Sequence, residues 1–246
     1  MREEDVFETL RGLGFDESDT RTLAYHFLDA EQRGKTGHGF TRVEWLTTRP
    51  VDLDPGARPL RLVQEPGYER WDGNGALGYL TLAAIVDAQL ADPPEHARLV
   101  VAQRCFPTGM LGYWVRKLAE GGLVAALTAT SPARLGHPEG GPPLAGTNPL
   151  AIAIPSSDGH PVVSDVSMGR VTYGEVIAGE ASEEDLVPFG GEQAHKAFAL
   201  AIGLQLLVDA LAGDGYGAVL LVARPEADPV PELRARAAGI RLPGDR

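Results

Sequence analysis

Leu144–Pro155 reads LAGTNPLAIAIP, and Ser164–Gly169 follows shortly after as SDVSMG. The four residues Gly146-Thr147-Asn148-Pro149 open directly into the apolar run Leu150 to Ile154. Glycine permits a tight path, proline fixes φ, and an apolar stretch of this length bounded by turn residues predicts a buried strand. Outward from this corner, Val124–Ala129 predicts a strand before it, and Pro161–Ser164 a strand after it. A Pro- and Gly-rich loop, Pro132–Pro143, lies between the first of these strands and the turn.

Helical and apolar segments alternate along the rest of the chain. Residues 3–12 and 17–33 predict two amphipathic helices, with Val6, Leu10 and Leu13 on one stripe and Leu23, Phe27 and Leu28 on the other. Asp16 or Ser18 is placed to cap the second helix, and Gly34 to end it. A loop then carries Gly37-His38-Gly39-Phe40-Thr41-Arg42. Residues 51–72 predict an extended connection with a short strand at Leu60–Val63. Further helices are expected at Gly78–Ala91, Tyr113–Glu120 and Phe198–Ala212, and further strands at Arg98–Ala102 and Val219–Ala223. This alternation predicts an α/β architecture. The expected division is 1–72, 73–223 and 224–246, with the last segment packing back on the first.

The net charge of −12 over 246 residues argues against a nucleic-acid partner, which needs a basic surface. One cysteine, Cys105, excludes an intramolecular disulfide and a cysteine-based zinc site. Its place beside the apolar run Leu99–Ala102 predicts a buried thiol. The reading finds no signal-peptide pattern and no apolar run near the ~18 residues of a membrane span, so a cytoplasmic protein is expected.

The segment Gly73-Asn74-Gly75-Ala76-Leu77-Gly78 matches G-x-G-x-x-G. A dinucleotide loop of that kind needs a buried strand before it, and Tyr68–Asp72 is read here as no such strand, so a helix-capping turn is expected. His38 lies between two glycines, where the backbone can approach another segment or a ligand closely. Arg42, four residues on, offers a bidentate clamp for a carboxylate. His26, His96, His137, His160 and His195 show no metal-ligand spacing and are read as surface or loop residues; no metal is expected.

Taken in order, these segments resemble the malate/lactate dehydrogenase family that lacks the Rossmann fold, with its ureidoglycolate dehydrogenases and cyclic 2-imino acid reductases. GHGFTR at Gly37–Arg42 resembles the family's Ser-His-Gly-x-x-Arg, and WDGNGALG at Trp71–Gly78 its Asp-Gly-x-x-Gly segment. Thr130-Ser131-Pro132, Pro138-Glu139-Gly140-Gly141 and the GTNP turn follow in family order. Asp165-Val166-Ser167 is similar to an Asp-Met-x-x-Ser turn, and Gly190-Gly191 with Lys196-Ala197-Phe198 to a Gly-Gly-x-Lys-Gly-Tyr helix start. Ala238–Pro243 resembles a closing Gly-Ile-x-Leu-Pro.

The resemblance implies a mixed sheet flanked by helices with an N-terminal helical region, and a homodimer. It implies reduction of a 2-keto or cyclic 2-imino acid with NADH or NADPH. His38 would be the proton donor and Asp165 its orienting carboxylate; such a pairing would raise the histidine toward neutrality. Arg42 and Thr147 would hold the substrate carboxylate. Ser131, Asp165, Val166, Ser167 and Lys196 would line the cofactor.

The chain departs from the family at four points. Gly37 stands where the family has serine, and Pro107 where many members have a second histidine. An insertion separates Gly191 from Lys196, and the stretches after Asp165 and after Ala212 are short. Loss of the second histidine favours an imine over a keto substrate, since His38 alone can supply a proton. Two other readings stay open. One is a repurposed scaffold serving a non-redox step on a small or peptide substrate in specialised biosynthesis. The other is a non-catalytic partner of an intact homologue.

Overall fold

The computed structural model describes residues 1–48 and 53–245; the first residues of the extended connection expected from 51 lie outside these. One seven-stranded mixed sheet organises the chain. Its strands are β1 (Leu60–Glu65), β2 (Tyr68–Asp72), β3 (Ala97–Gln103), β4 (Val124–Ala129), β5 (Leu150–Ile154), β6 (Val162–Val166) and β7 (Ala218–Ala223), in the order β1-β2-β3-β7-β4-β5-β6. Only β2 and β3 pair in parallel; every other neighbouring pair is antiparallel. The predominantly antiparallel sheet, with β7 inserted between β3 and β4, is not a Rossmann sheet.

Helices cover both faces. α4 (Gly78–Ala91) and α5 (Leu111–Glu120) pack on one face, with α1 (Glu3–Gly12), α2 (Glu17–Gln32) and α3 (Phe40–Thr47) outside them. α7 (Ala194–Ala212) lies across β3, β7 and β4 on the other. The period of two in β3 serves this layering: Val100 and Ala102 join the main core, while Val101 meets Val208 and Ala212 of α7. Two short helices, α6 (Tyr173–Ile177) and α8 (Val230–Ala237), complete the fold. The strand at 60–65 and the helices at 3–12, 17–32 and 78–91 agree with the sequence reading to within a few residues. Asp16 caps α2 by accepting from the Asp19 N–H at 2.9 Å.

Four expectations are corrected. Tyr68–Asp72 is a strand after all, and Glu69, Trp71 and Asp72 on it are buried. The loop carrying residues 40–42 is the first turn of α3, which starts at Gly39 without a side-chain cap and so lacked a start signal. β5 is buried on one face only, and Ile152 is exposed. The segment Gly191–Ala212, with a mean hydropathy of 1.4 over eighteen residues, is long and apolar enough to cross a membrane by length and composition; as α7 it packs on the sheet, leaving Leu200, Leu206 and Leu207 exposed. Among the described residues the C-terminal segment hydrogen-bonds to the stretch before β3, where Arg224 N donates to His96 O at 2.8 Å, and to the β5–β6 end. Val163 N donates to Pro243 O at 3.0 Å, and Arg234 reaches His160 O at 3.1 Å.

Candidate functional site

The GTNP corner is pinned from two sides. Asn148, fully buried with φ at 24°, donates through Nδ2 to Gln205 Oε1 at 2.8 Å and to Ala201 O at 3.2 Å, tying the corner to α7. Thr147 O accepts from Met168 N at 2.8 Å, tying it to the end of β6. Asparagine is therefore the structural member of the motif, and Thr147 is held facing a cavity of about 640 Å³.

That cavity lies where β4, β5 and β6 end near α3 and α6. The structure brings His38, Arg42, Ser131, Thr147, Asp165, Val166 and Ser167 to its wall, seven of the eight residues the sequence singled out. Lys196 is the exception: it is exposed on the first turn of α7 and is not among the lining residues. Of the residues 73–78, none lines the cavity; Tyr79, the next one, does.

His38 closes a single turn of 3-10 helix, Thr36–His38, with its N–H donating to Lys35 O at 2.8 Å. Glu31 of α2 fixes the chain two residues on by accepting from Phe40 N at 3.0 Å. Gly37 meets Gly174 of α6 backbone to backbone: a Cβ at Gly37 would lie 2.7 Å from Glu175 N. The close approach expected at the glycines around His38 is thus made to α6. Thr36 Oγ1 adds a hydrogen bond to Glu180 Oε1 at 2.6 Å.

The electrostatics of His38 differ from expectation. Surrounding protein pushes its imidazole down to about 3, and the charges of Arg42, His26 and Lys35 push the same way. No hydrogen bond joins His38 to Asp165 among the described residues; Nδ1 of His38 is buried without a partner. Asp165 Oδ2 instead accepts from Gly112 N at 2.7 Å, at the start of α5. The surrounding protein raises the Asp165 carboxyl, although the residue stays exposed at the end of β6, against the lowering effects of that bond, Lys35 and Arg116. The site therefore holds a neutral histidine, not one raised by a carboxylate.

Arg42 is nearly buried, its guanidinium 4.8 Å from the centre of the Trp45 ring and its Nε without a partner. Tyr79, fully buried, presents a third orphaned polar atom, its hydroxyl, and burial holds that phenol at about 12. A buried polar group left unpaired costs roughly 1–3 kcal/mol, so three at one wall mark a place where stability is given up. Behind them lies His26, read from sequence as a surface residue but fully buried. It accepts from Met110 N at 3.0 Å and is enclosed by Phe27, Tyr79, Tyr113 and Trp114. It too is pushed down by burial, to about 3. Its period on α2 would have shown this, since Leu23 and Phe27 share its face.

Pro107, which stands where the resemblance places a second histidine, lines the cavity next to Gly78, where a Cβ would lie 2.7 Å from Pro107 O. Cys105 is buried, and its thiol is raised by burial to about 12, as suits a packing residue. Among the described residues no group of three His, Cys, Asp or Glu side chains could hold a metal ion.

Similarity to known proteins was measured by sequence and by structure. A Pseudomonas putida Δ1-pyrroline-2-carboxylate/Δ1-piperideine-2-carboxylate reductase is 28% identical over 231 residues, covering 82% of this chain and 67% of the relative. A Pyrococcus horikoshii malate dehydrogenase is 26% identical, covering 85% of this chain and 65% of its own length. The chain thus spans about two thirds of these relatives. The structure of Δ1-piperideine-2-carboxylate reductase from Pseudomonas syringae superposes with a TM-score of 0.83 at 22% identity, over 100% of this chain and 91% of that one. A dehydrogenase from Sinorhizobium meliloti gives 0.82 at 24%, over 99% and 88%. These likenesses establish the shared non-Rossmann α/β fold, and the malate/L-lactate dehydrogenase family model matches residues 3–186, from α1 through the whole cavity wall. With that match and the GTNP corner at its centre, the chain belongs to the malate/L-lactate dehydrogenase family.

Proposed function

We propose that the protein is an NAD(P)H-dependent reductase of a C=N or C=O bond next to a carboxylate, with a cyclic 2-imino acid as the preferred class. The observation that carries this is the orphaned guanidinium of Arg42 beside a neutral His38 in one cavity. A buried cation without a counter-ion invites an anion, and Arg42 with Thr147 is assigned the substrate carboxylate. Its arrival offsets one of the charges that hold His38 down, so the imidazole regains basicity as substrate binds. His38 then holds the proton exchanged with the substrate nitrogen. An imine nitrogen is basic enough to take up a proton readily, whereas a ketone oxygen depends on a strong donor. Pro107 and Gly37 supply no such donor.

The hydroxyls of Ser131 and Ser167, with Asp165 and Val166, form the wall that fits the nicotinamide end of a cofactor. When bound, the cofactor supplies the hydride. Lys196, outside the cavity, is not assigned to it. A homodimer is the proposed assembly, with the exposed leucines of α7 as a candidate contact, and the cytoplasm the proposed compartment.

A repurposed scaffold without redox chemistry is the second reading, favoured by the position of Lys196 outside the cavity. Titration of the purified protein with NADPH and NADH, followed by cofactor fluorescence, separates the two. Binding of either, with oxidation on adding Δ1-piperideine-2-carboxylate, supports the reductase; no binding at millimolar nucleotide overturns it. His38→Ala is expected to end turnover with the fold intact.

A further inference from the structure

Arg134 is one of four cations on the cavity wall, with Lys35, Arg42 and Arg170, and among the described residues no acid pairs with it. It stands on the loop after β4, facing the cavity, with its guanidinium carbon 3.4 Å from the centre of the Tyr173 ring. Stacking occupies the face of the guanidinium and leaves the in-plane N–H fork, the edge that recognises carboxylate and phosphate. Among the described residues Arg134 makes no salt bridge, and its side chain makes no hydrogen bond to protein. The comparison with Arg170 is direct. That residue also lines the cavity, but Asp185 pairs with it. The cavity acids are occupied elsewhere. Asp165 accepts from Gly112, Glu175 from the Thr172 cap at 2.6 and 2.8 Å, and Glu180 from Thr36.

The backbone beneath Arg134 is fixed. Its N–H and that of Leu135 both donate to Ala145 O at 2.8 Å, and Leu144 N returns to Leu135 O at 2.9 Å. Leu135 is fully buried against Ala145, Met168 and Ala201. A long cationic side chain is therefore held on a stapled base and steered by an aromatic ring, on elements other than the α3 that carries Arg42 and Trp45.

We propose that Arg134 is a second anion subsite of this cavity, binding a negatively charged group distinct from the carboxylate assigned to Arg42. The chemistry is that of a planar or tetrahedral oxyanion. Its source is either a distal acid group of the substrate or a phosphate of the nucleotide. The proposal rests on the cavity being the ligand site but not on the redox reading.

The test is calorimetry on the purified protein and Arg134→Gln with four probes: lactate, malate, NADH and NADPH. Lactate and malate differ by one carboxylate, and the two nucleotides by one phosphate. A loss of roughly tenfold to a hundredfold, the size expected of a charge-assisted pair, for malate but not lactate assigns the substrate source. The same loss for the nucleotides, with malate and lactate unchanged, assigns the phosphate source; Arg134→Lys should restore part of either. Wild-type protein that prefers malate to lactate yet binds neither nucleotide keeps the subsite and removes the redox reading. Unchanged affinities in Arg134→Gln, or equal losses for all four probes, overturn the proposal.

Discussion

Two polar clusters in this protein are built on opposite terms. At the β1–β2 edge, Glu69 is fully buried and every acceptor position is used. Trp71 Nε1 donates at 2.8 Å and Gln89 Nε2 at 3.0 Å, while Arg98 and Arg61 approach at 3.3 and 3.4 Å. Arg98 in turn is taken up by Gln89, Asp92 and Pro66 O. At the cavity, His38 Nδ1, Arg42 Nε and the Tyr79 hydroxyl are equally buried and go unanswered. The first cluster satisfies its own charges and holds the sheet edge closed. The second leaves donors and a neutral imidazole for a ligand to meet.

The contrast can be broken from either side. Glu69→Ala should have the largest effect, about 3–5 kcal/mol of lost stability in denaturant melts, because it strands the Arg98 charge in the interior. At the cavity, His38→Ala should leave the melting curve unmoved or raised while turnover falls by at least roughly a hundredfold, about 2.7 kcal/mol in the barrier. A His38→Ala variant that unfolds would place the residue with the Glu69 cluster instead.

Acid sharpens the comparison through His26. Its folded pKa is depressed to about 3, so the unfolded chain binds the extra proton first. The stability this histidine contributes is complete above about pH 6.5 and is lost as pH falls toward about 3, at roughly 1.4 kcal/mol per pH unit. His26→Gln should flatten that acid limb by the same slope in pH-dependent melts. The smallest effect belongs to Tyr79→Phe. Removing a hydroxyl that has no partner should change stability by less than about 1 kcal/mol, in either direction. A larger loss would show that the hydroxyl is satisfied in solution.

Much of this was legible along the chain, for reasons that differ by residue. Helices α1, α2 and α4 carry stripes, caps or closing prolines, and β4 and β5 are bounded by turn residues, so local rules suffice. The cavity set from His38 to Ser167 was readable because motif order matched a family. Other features were not legible. α3 begins at a glycine and is short. Tyr68–Asp72 does not read as a buried strand because the partners that meet Glu69 inside, Gln89 and Arg98, are remote in sequence. The depressed His38 depends first on the protein packed around it and then on Arg42, His26 and Lys35, which no spacing rule reports. Tyr79 and Arg134 looked like ordinary members of a helix and a loop until the cavity gave them a common wall.

The backbone contact between Gly37 and Gly174 limits substitution as well as packing. Each glycine occupies the space a side chain on the other would need, so neither position can change alone without moving α6 off the turn that carries His38. A serine at position 37 is then blocked unless the segment around Gly174 retreats first. Two residues 137 positions apart in the chain act as one unit of sequence, and any hydroxyl placed beside His38 has to involve both.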